Sequence, residues 1–228
     1  MIWNIYCDFD GTIALGDVVD TLLDRFAAPA WREIEMAWKS GVIGSRECLV
    51  RQVALLDMPR IALDRCLDKI AIDADFPSFV AEARAQGHAI TVVSDGLDYA
   101  IRRVLTRNGL ADLPVTSNSL QQRSERAWRV TFPHVDAKCS AASGHCKCTT
   151  VRKTRCRAAS NSRSLLIGDG TSDFCAAQMV DFVFAKDKLI EHHIQRNLPH
   201  CPIRGFADAR RLMGMLDRIK PIDIPVYV

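Results

Sequence analysis

The sequence predicts an α/β fold, a doubly wound parallel sheet (a Rossmann-like core) with an inserted helical cap. Three observations predict it. Short β-branched and aromatic runs at 2–9, 89–93, 164–167 and 182–184 alternate with stretches of helical length, the pattern of a parallel sheet covered on both faces. The block 14–75 breaks that alternation, with helical spacing and no strand signal. Three of the strands run into loops rich in Asp and Gly, and open α/β sheets bind ligands beyond the carboxyl ends of their strands.

Taken in order, the first run ends at Asp10-Gly11 and reads as a buried strand entering a loop. Val18, Leu22, Leu23 and Phe26 then form one apolar stripe, and Pro29, Gly41, Gly44 and Pro59 divide the block into four short helices. A helix over 79–85 stops at Gly87, a strand over 89–93 leads into Ser94-Asp95-Gly96, and a helix over 97–107 stops at Gly109. Residues 114–145 are less regular, with 115–116 and 129–132 expected to pair as a hairpin and 140–144 to form a loop. A helix follows Lys147, then a strand at 164–167, a loop at 168–173, a helix to Met179, the strand 182–184 and two further helices. The expected organisation is a core of 1–13 and 76–228, a cap of 14–75 and a small second insert at 114–145.

Composition removes several function classes. The 228 residues suffice for one large domain with an insert, and 48% hydrophobic with 25% charged residues excludes wholesale disorder. No apolar run approaches the roughly 18 residues of a membrane span, and the first residues lack the basic region of a signal peptide. A cytoplasmic protein without membrane partners is expected, as a monomer or homodimer. A net charge of +3 does not argue for nucleic acid. Nine scattered cysteines read as reduced thiols, and Cys139, Cys146, Cys148 and Cys156 lack the paired spacing of a zinc site.

The strand-end loops deliver Asp8, Asp10, Ser94, Gly96, Asp169 and Asp173 to one edge. Carboxylates brought close together repel, so they need a cation or a shared proton. Asp169 and Asp173, four apart where a turn becomes a helix, suit a hard divalent cation such as Mg²⁺. Such a cation prefers a substrate carrying phosphate oxygens. Asp8 and Asp10 lie two apart, so on a regular strand they would share one face and set a nucleophile beside an acid/base. The expected chemistry is phosphoryl transfer from a small phosphorylated metabolite.

These residues resemble the motifs of the haloacid dehalogenase-type phosphatases, in the branch that includes phosphoserine phosphatase. Asp8-Phe9-Asp10-Gly11-Thr12 resembles the first motif, Ser94 the second, Lys147 the third and 168–173 the fourth, so the likeness spans nearly the whole chain. The resemblance implies that Asp8 is the nucleophile forming an aspartyl-phosphate and that Asp10 protonates the leaving alcohol, then activates water. It implies that Ser94, Lys147 and amides near Gly96 hold the phosphate. Asp8, Asp10 through its carbonyl, and Asp169 would bind Mg²⁺, with Asp173 anchoring the site. Residues 26–31 and 96–99, with the Cys-rich approach to Lys147, are similar to one subgroup, the methionine-salvage phosphatases of a phosphorylated methylthio-sugar. Asp17, Trp31 and Arg51 are the cap-side candidates for substrate binding. The residue after the third-motif lysine is often Gly or Pro in this family and is Cys148 here, which leaves Lys153 as the alternative.

Three other readings stay open. His145-Cys146, with Arg152 six positions on, fits the pattern of cysteine-dependent phosphatases, although the residues between lack glycine and suit a helix better than an anion-binding loop. A phosphotransferase or mutase differs only in its acceptor. A phosphometabolite-binding protein without turnover would have no need of both Asp8 and Asp10.

Overall fold

The computed structural model describes residues 1–134, 147–155 and 162–216. Strands β1 (Ile2–Cys7), β2 (Ala89–Leu97), β3 (Val115–Gln122), β4 (Trp128–Thr131), β5 (Ser162–Gly168), β6 (Phe182–Ala185) and β7 (Cys201–Pro202) form one sheet. Their order is β4-β3-β2-β1-β5-β6-β7. Every neighbouring pair is parallel except β3 and β4. Central β1 sets Tyr6 opposite both Thr91 and Leu166.

Alternation along the inner strands explains the two covered faces. Ile5 packs into one hydrophobic cluster and Tyr6 into the other, and Leu165, Leu166 and Ile167 alternate in the same way. Successive side chains of a strand point to opposite faces, so a strand buried on both sides reads as an unbroken apolar run. The first face is covered by α5 (Phe76–Ala85), α6 (Asp98–Arg107) and α10 (Phe206–Met213) through Phe79, Ile101 and Phe206. The second is covered by α7 (Lys147–Arg155), α8 (Phe174–Ala177) and α9 (Asp187–Gln195) through Val151, Ala176 and Leu189.

Between β1 and α5 lie α1 (Val18–Phe26), α2 (Trp31–Lys39), α3 (Ser45–Ala54) and α4 (Arg60–Leu67). The chain leaves and re-enters the sheet region through a narrow neck. Ala14 bridges Ile72 in antiparallel fashion, and the Asp73 N–H donates to the Ile13 carbonyl at 2.9 Å. Leu22, Leu63 and Leu67 of these helices belong to the same apolar cluster as Ile5 and Phe79, so the helical block has no separate core.

The structure departs from expectation in several places. Ser94, Asp95 and Gly96 form the end of β2, with a register break against β3 between Val93 and Leu97. Val115 and Thr116 pair with Val92 and Val93 of the main sheet, while the hairpin is made by residues 119–122 with 128–131. Residues 135–145 of the expected second insert lie outside the described residues. Strand β7, two residues long, is too short to leave a periodic signal. Cys7, Cys48, Cys66, Cys148 and Cys201 form no disulfide, but Cys175 is disulfide-bonded, which corrects the reading of uniformly reduced thiols. Cys139, Cys146 and Cys156 lie outside the described residues. No helix among those described is long and apolar enough to cross a membrane.

Candidate active site

The carboxyl ends of β1, β2 and β5 meet the first turn of α7 around a cavity of about 440 Å³. β1 stops at Cys7, but the Asp8 N–H still donates to the Ile167 carbonyl at 2.9 Å, which carries Asp8 to the tip of the sheet. The chain then turns, and the carbonyl of Phe9 accepts from the N–H groups of Ile13 and Ala14 at 2.9 and 2.8 Å. Asp8 and Asp10 line the same cavity because of this turn, not because of a strand's two-residue period.

Two glycines make room for carboxylates. Gly11 has φ +72°, and a Cβ there would sit 2.8 Å from Cγ of Asp169. A Cβ on Gly168 would sit 2.5 Å from Cγ of Asp173. Any larger residue would force those acids out of place. The Asp169 carboxylate accepts from Thr12 Oγ1 at 2.7 Å, and Lys186 Nζ donates to the Gly11 carbonyl at 2.7 Å. Asp173 caps its own loop, with Oδ2 accepting from the Asp169 and Gly170 N–H groups at 3.1 and 3.2 Å.

Lys147 binds this group together. It is 3% exposed, and its Nζ lies 2.6 Å from Asp8 Oδ2, 2.9 Å from Asp173 Oδ1 and 3.5 Å from Asp95 Oδ1. Burial alone would lower the Lys147 pKa, but Asp173, Asp8 and Asp95 outweigh it and hold the ammonium firmly charged. Among the described residues, Lys147 does not by itself balance the acids it meets. Burial, then Asp173, push Asp8 upward against the pull of Lys147, and burial also raises Asp169. Oxygen atoms of Asp8, Asp169 and Asp173 lie within 4.8 Å of one another, a hard-oxygen set that fits a divalent cation.

Asp10 points the other way, toward α1. Its carboxylate accepts from the Val18 N–H at 2.9 Å, and burial followed by Asp17 pushes its pKa up to about 8. Gly96 is what lets it approach β2, since a Cβ there would fall 2.7 Å from Asp10 Oδ2 and 3.1 Å from Ser94 Oγ. Ser94 Oγ in turn accepts from the Gly96 N–H at 2.9 Å.

Asp17 lines the cavity and caps α1 by accepting from the Asp20 N–H at 2.9 Å. Two expected residues do not reach it. Trp31 is buried in the apolar cluster, with the Arg32 guanidinium 4.7 Å from its ring centroid, and does not line the cavity. Arg51 is exposed and pairs with Glu47 one turn back on α3. Lys153, the alternative to Lys147, is an exposed residue of α7. Cys146 lies outside the described residues, and Arg152 is half-buried on the same helix. Sequence reasoning missed Asp95, Glu35, Trp38 and Gln52, all of which line the cavity. Glu35 and Trp38 sit at helical spacing that also suits a solvated face, so no local signal separates the two.

The profile of the haloacid dehalogenase-like hydrolase family matches residues 5–178. Two curated relatives carry the name 2-hydroxy-3-keto-5-methylthiopentenyl-1-phosphate phosphatase. The protein from Brevibacillus brevis is 29% identical over 217 residues, covering 94% of this chain and 96% of its own. That from Geobacillus thermodenitrificans is 30% identical over 209 residues, covering 90% and 92%. A substrate-bound phosphoserine phosphatase structure superposes with a TM-score of 0.70 at 18% identity, over 96% of this chain and 99% of that one, a likeness of fold.

Proposed function

We propose, from the premise that this chain belongs to the haloacid dehalogenase-like hydrolase family and is a phosphatase, that Asp8 carries the phosphoryl group of a small phosphomonoester between two in-line displacements. In the first, an Asp8 carboxylate oxygen forms a bond to phosphorus as the phosphorus–alcohol oxygen bond breaks. Asp10 gives its proton to that leaving oxygen. In the second, Asp10 takes a proton from water, the water oxygen bonds to phosphorus, and the bond to Asp8 breaks to release inorganic phosphate. An Asp10 pKa near 8 supports this role, because the group then starts as a proton donor at neutral pH.

Ser94, Lys147 and the backbone at Gly96 would hold the phosphate oxygens. The carboxylates of Asp8 and Asp169 and the carbonyl of Asp10 would hold Mg²⁺, with Asp173 fixing Lys147 and the loop beside them. When bound, Mg²⁺ supplies positive charge that neutralises phosphate oxygens and lets an anionic nucleophile approach them. Residues 14–75 would act as a cap over a core of 1–13 and 76–228, joined through the neck at Ala14 and Ile72. The names of the curated relatives favour a phosphorylated methylthio-ketose as substrate, with phosphoserine as the second choice.

The carrying observation is the buried Asp8 carboxylate, held 2.6 Å from Lys147 in the wall of a cavity that Asp10 also lines. Purified protein is expected to release inorganic phosphate from a panel of phosphorylated metabolites without an added acceptor. Activity should vanish in EDTA and return with Mg²⁺. A hydroxylamine-labile phosphoenzyme should be trapped in the wild type and be missing in Asp8→Asn. Phosphate release that survives EDTA and Asp8→Asn would refute the assignment, and a requirement for an added alcohol acceptor would make the protein a phosphotransferase.

A further inference from the structure

Two segments far apart in the chain are joined at one backbone carbonyl beside the site. Lys186 Nζ, in the turn between β6 and α9, donates to the Gly11 carbonyl at 2.7 Å, across 175 residues. The turn is a firm platform. The Lys186 N–H prolongs the pairing of β6 with β5 by donating to the Gly168 carbonyl at 2.9 Å, and the Leu189 N–H donates to the Asp169 carbonyl at 2.9 Å. Between them Asp187 takes φ +41°, a backbone state that a non-glycine residue keeps only where its surroundings over-determine it. Lys186 is half-buried and does not line the cavity.

The peptide that Lys186 holds would otherwise be pliable. Gly11, at φ +72°, has no side chain to limit its rotation, and it links Asp10 to Thr12. Thr12 is tied separately, its Oγ1 donating to Asp169 at 2.7 Å. A hydrogen bond from an ammonium is stronger than one between neutral groups, which suits it to fixing a glycine carbonyl. Resting on the phosphatase reading, we infer that Lys186 is a positioning residue: by holding the Gly11 carbonyl it sets the direction of Asp10, whose own carbonyl serves the cation and whose carboxyl serves the leaving oxygen.

A plain charge effect predicts the opposite sign for the metal. Burial raises the Asp169 pKa, while Thr12, Lys147 and Lys186 pull against it, so the Lys186 charge is felt at the cation set. Removing that charge alone would tighten Mg²⁺ binding, whereas removing a brace weakens it. Lys186→Met removes both charge and donor, and Lys186→Arg keeps both. Calorimetric titration with Mg²⁺, without substrate, should give a Kd several-fold weaker in Lys186→Met and close to wild type in Lys186→Arg.

Esters with different leaving groups read the Asp10 carboxyl directly. p-Nitrophenolate departs without a proton, whereas the alcohol of O-phosphoserine or fructose 1-phosphate needs one from Asp10. In saturating Mg²⁺, Lys186→Met should lose about tenfold or more in kcat/KM on the better of the two alkyl esters. The loss on p-nitrophenyl phosphate should be several-fold smaller, and Lys186→Arg should recover most of both. A merely structural role would slow every ester alike.

Equal losses on both kinds of ester, Mg²⁺ bound as tightly as in the wild type or more so, or no recovery in Lys186→Arg would each overturn the inference. Circular dichroism checks the fold, and Lys186→Gln takes the place of Lys186→Met if that variant does not fold. Wild-type protein inactive on all three esters, with Mg²⁺ binding still weakened in Lys186→Met, would instead refute the phosphatase reading and leave the brace standing.

Discussion

Two acid clusters of this molecule are built in opposite ways. At the sheet tip, Asp8, Asp95 and Asp173 converge on the single ammonium of Lys147, and both Asp8 and Lys147 are nearly inaccessible. At the junction of α4 and α6, Asp64 and Asp68 meet Arg60, Tyr99, Arg103 and Arg107 near the surface. Arg103 grips Asp68 through two bonds of 2.8 and 2.9 Å, Tyr99 donates to Asp64 at 2.5 Å, and Arg107 donates to the Asp68 carbonyl. At the junction the carboxylates are answered by arginines and all of these groups are partly exposed, so it holds the helical block to the sheet region at little risk. At the tip, among the described residues, carboxylates outnumber the ammonium they meet, and Asp8, Lys147 and Asp173 are buried, an arrangement that opposes stability and suits chemistry. Low dielectric magnifies every charge there, favourable or not.

The contrast can be broken from either side. The largest effect is expected for Asp8→Asn, which should abolish phosphate release without lowering Tm in EDTA, because its folded-state pKa is raised by burial and by Asp173. A raised carboxylate pKa means the charged form is disfavoured on folding, so its removal does not destabilise at neutral pH. A Tm loss above a few degrees would show that Asp8 is a structural ion-pair member like those at the junction.

Next comes Lys147→Ala, which strands three acids. Turnover should fall about a hundredfold or more, and stability by about 3–5 kcal/mol as read from urea melts. Lys153→Ala, on the exposed side of the same helix, should leave both unchanged. The reverse result would move the phosphate-holding role to Lys153.

Arg103→Ala at the junction should lower Tm by only about 2 °C, and the difference should shrink in 0.5 M salt. A salt-insensitive loss as large as that of Lys147→Ala would erase the distinction between the two clusters.

The smallest effect involves a third way to bury a titratable group. Burial, with Arg196 beside His192 and His200 beside His193, lowers both histidine pKa values from 6.5. The unfolded chain then takes up protons as pH falls through about 6.5 while the folded chain does not, so this contribution is intact above that pH and declines below it. His193→Gln should therefore flatten the fall in Tm between pH 7 and 5.5. An identical slope in the variant would show that His193 titrates normally.

Legibility followed the range of the determining contacts. The strand-end acids and Ser94 were readable because each lies next to an apolar strand and a glycine, so local sequence specifies both the tip and the turn. Lys147 was found only through resemblance, since nothing near 147 reports that Asp8 and Asp173 will meet it. Trp31 and Arg51 were misplaced because a helix's own sequence does not say which face meets a cavity. The hairpin was expected, but its partners at Val115 and Thr116 were taken by β2.

By itself, then, the sequence determined the class of fold, the order of its elements and the acids at the strand tips, since hydrophobic period and turn chemistry are local properties. Tertiary structure alone decided that one lysine answers three aspartates, that Gly96 opens the way for Asp10, and that Glu35 and Trp38 face the cavity instead of water. Those outcomes depend on distances across segments up to 165 residues apart, between Asp8 and Asp173, and only the assembled sheet brings such segments together.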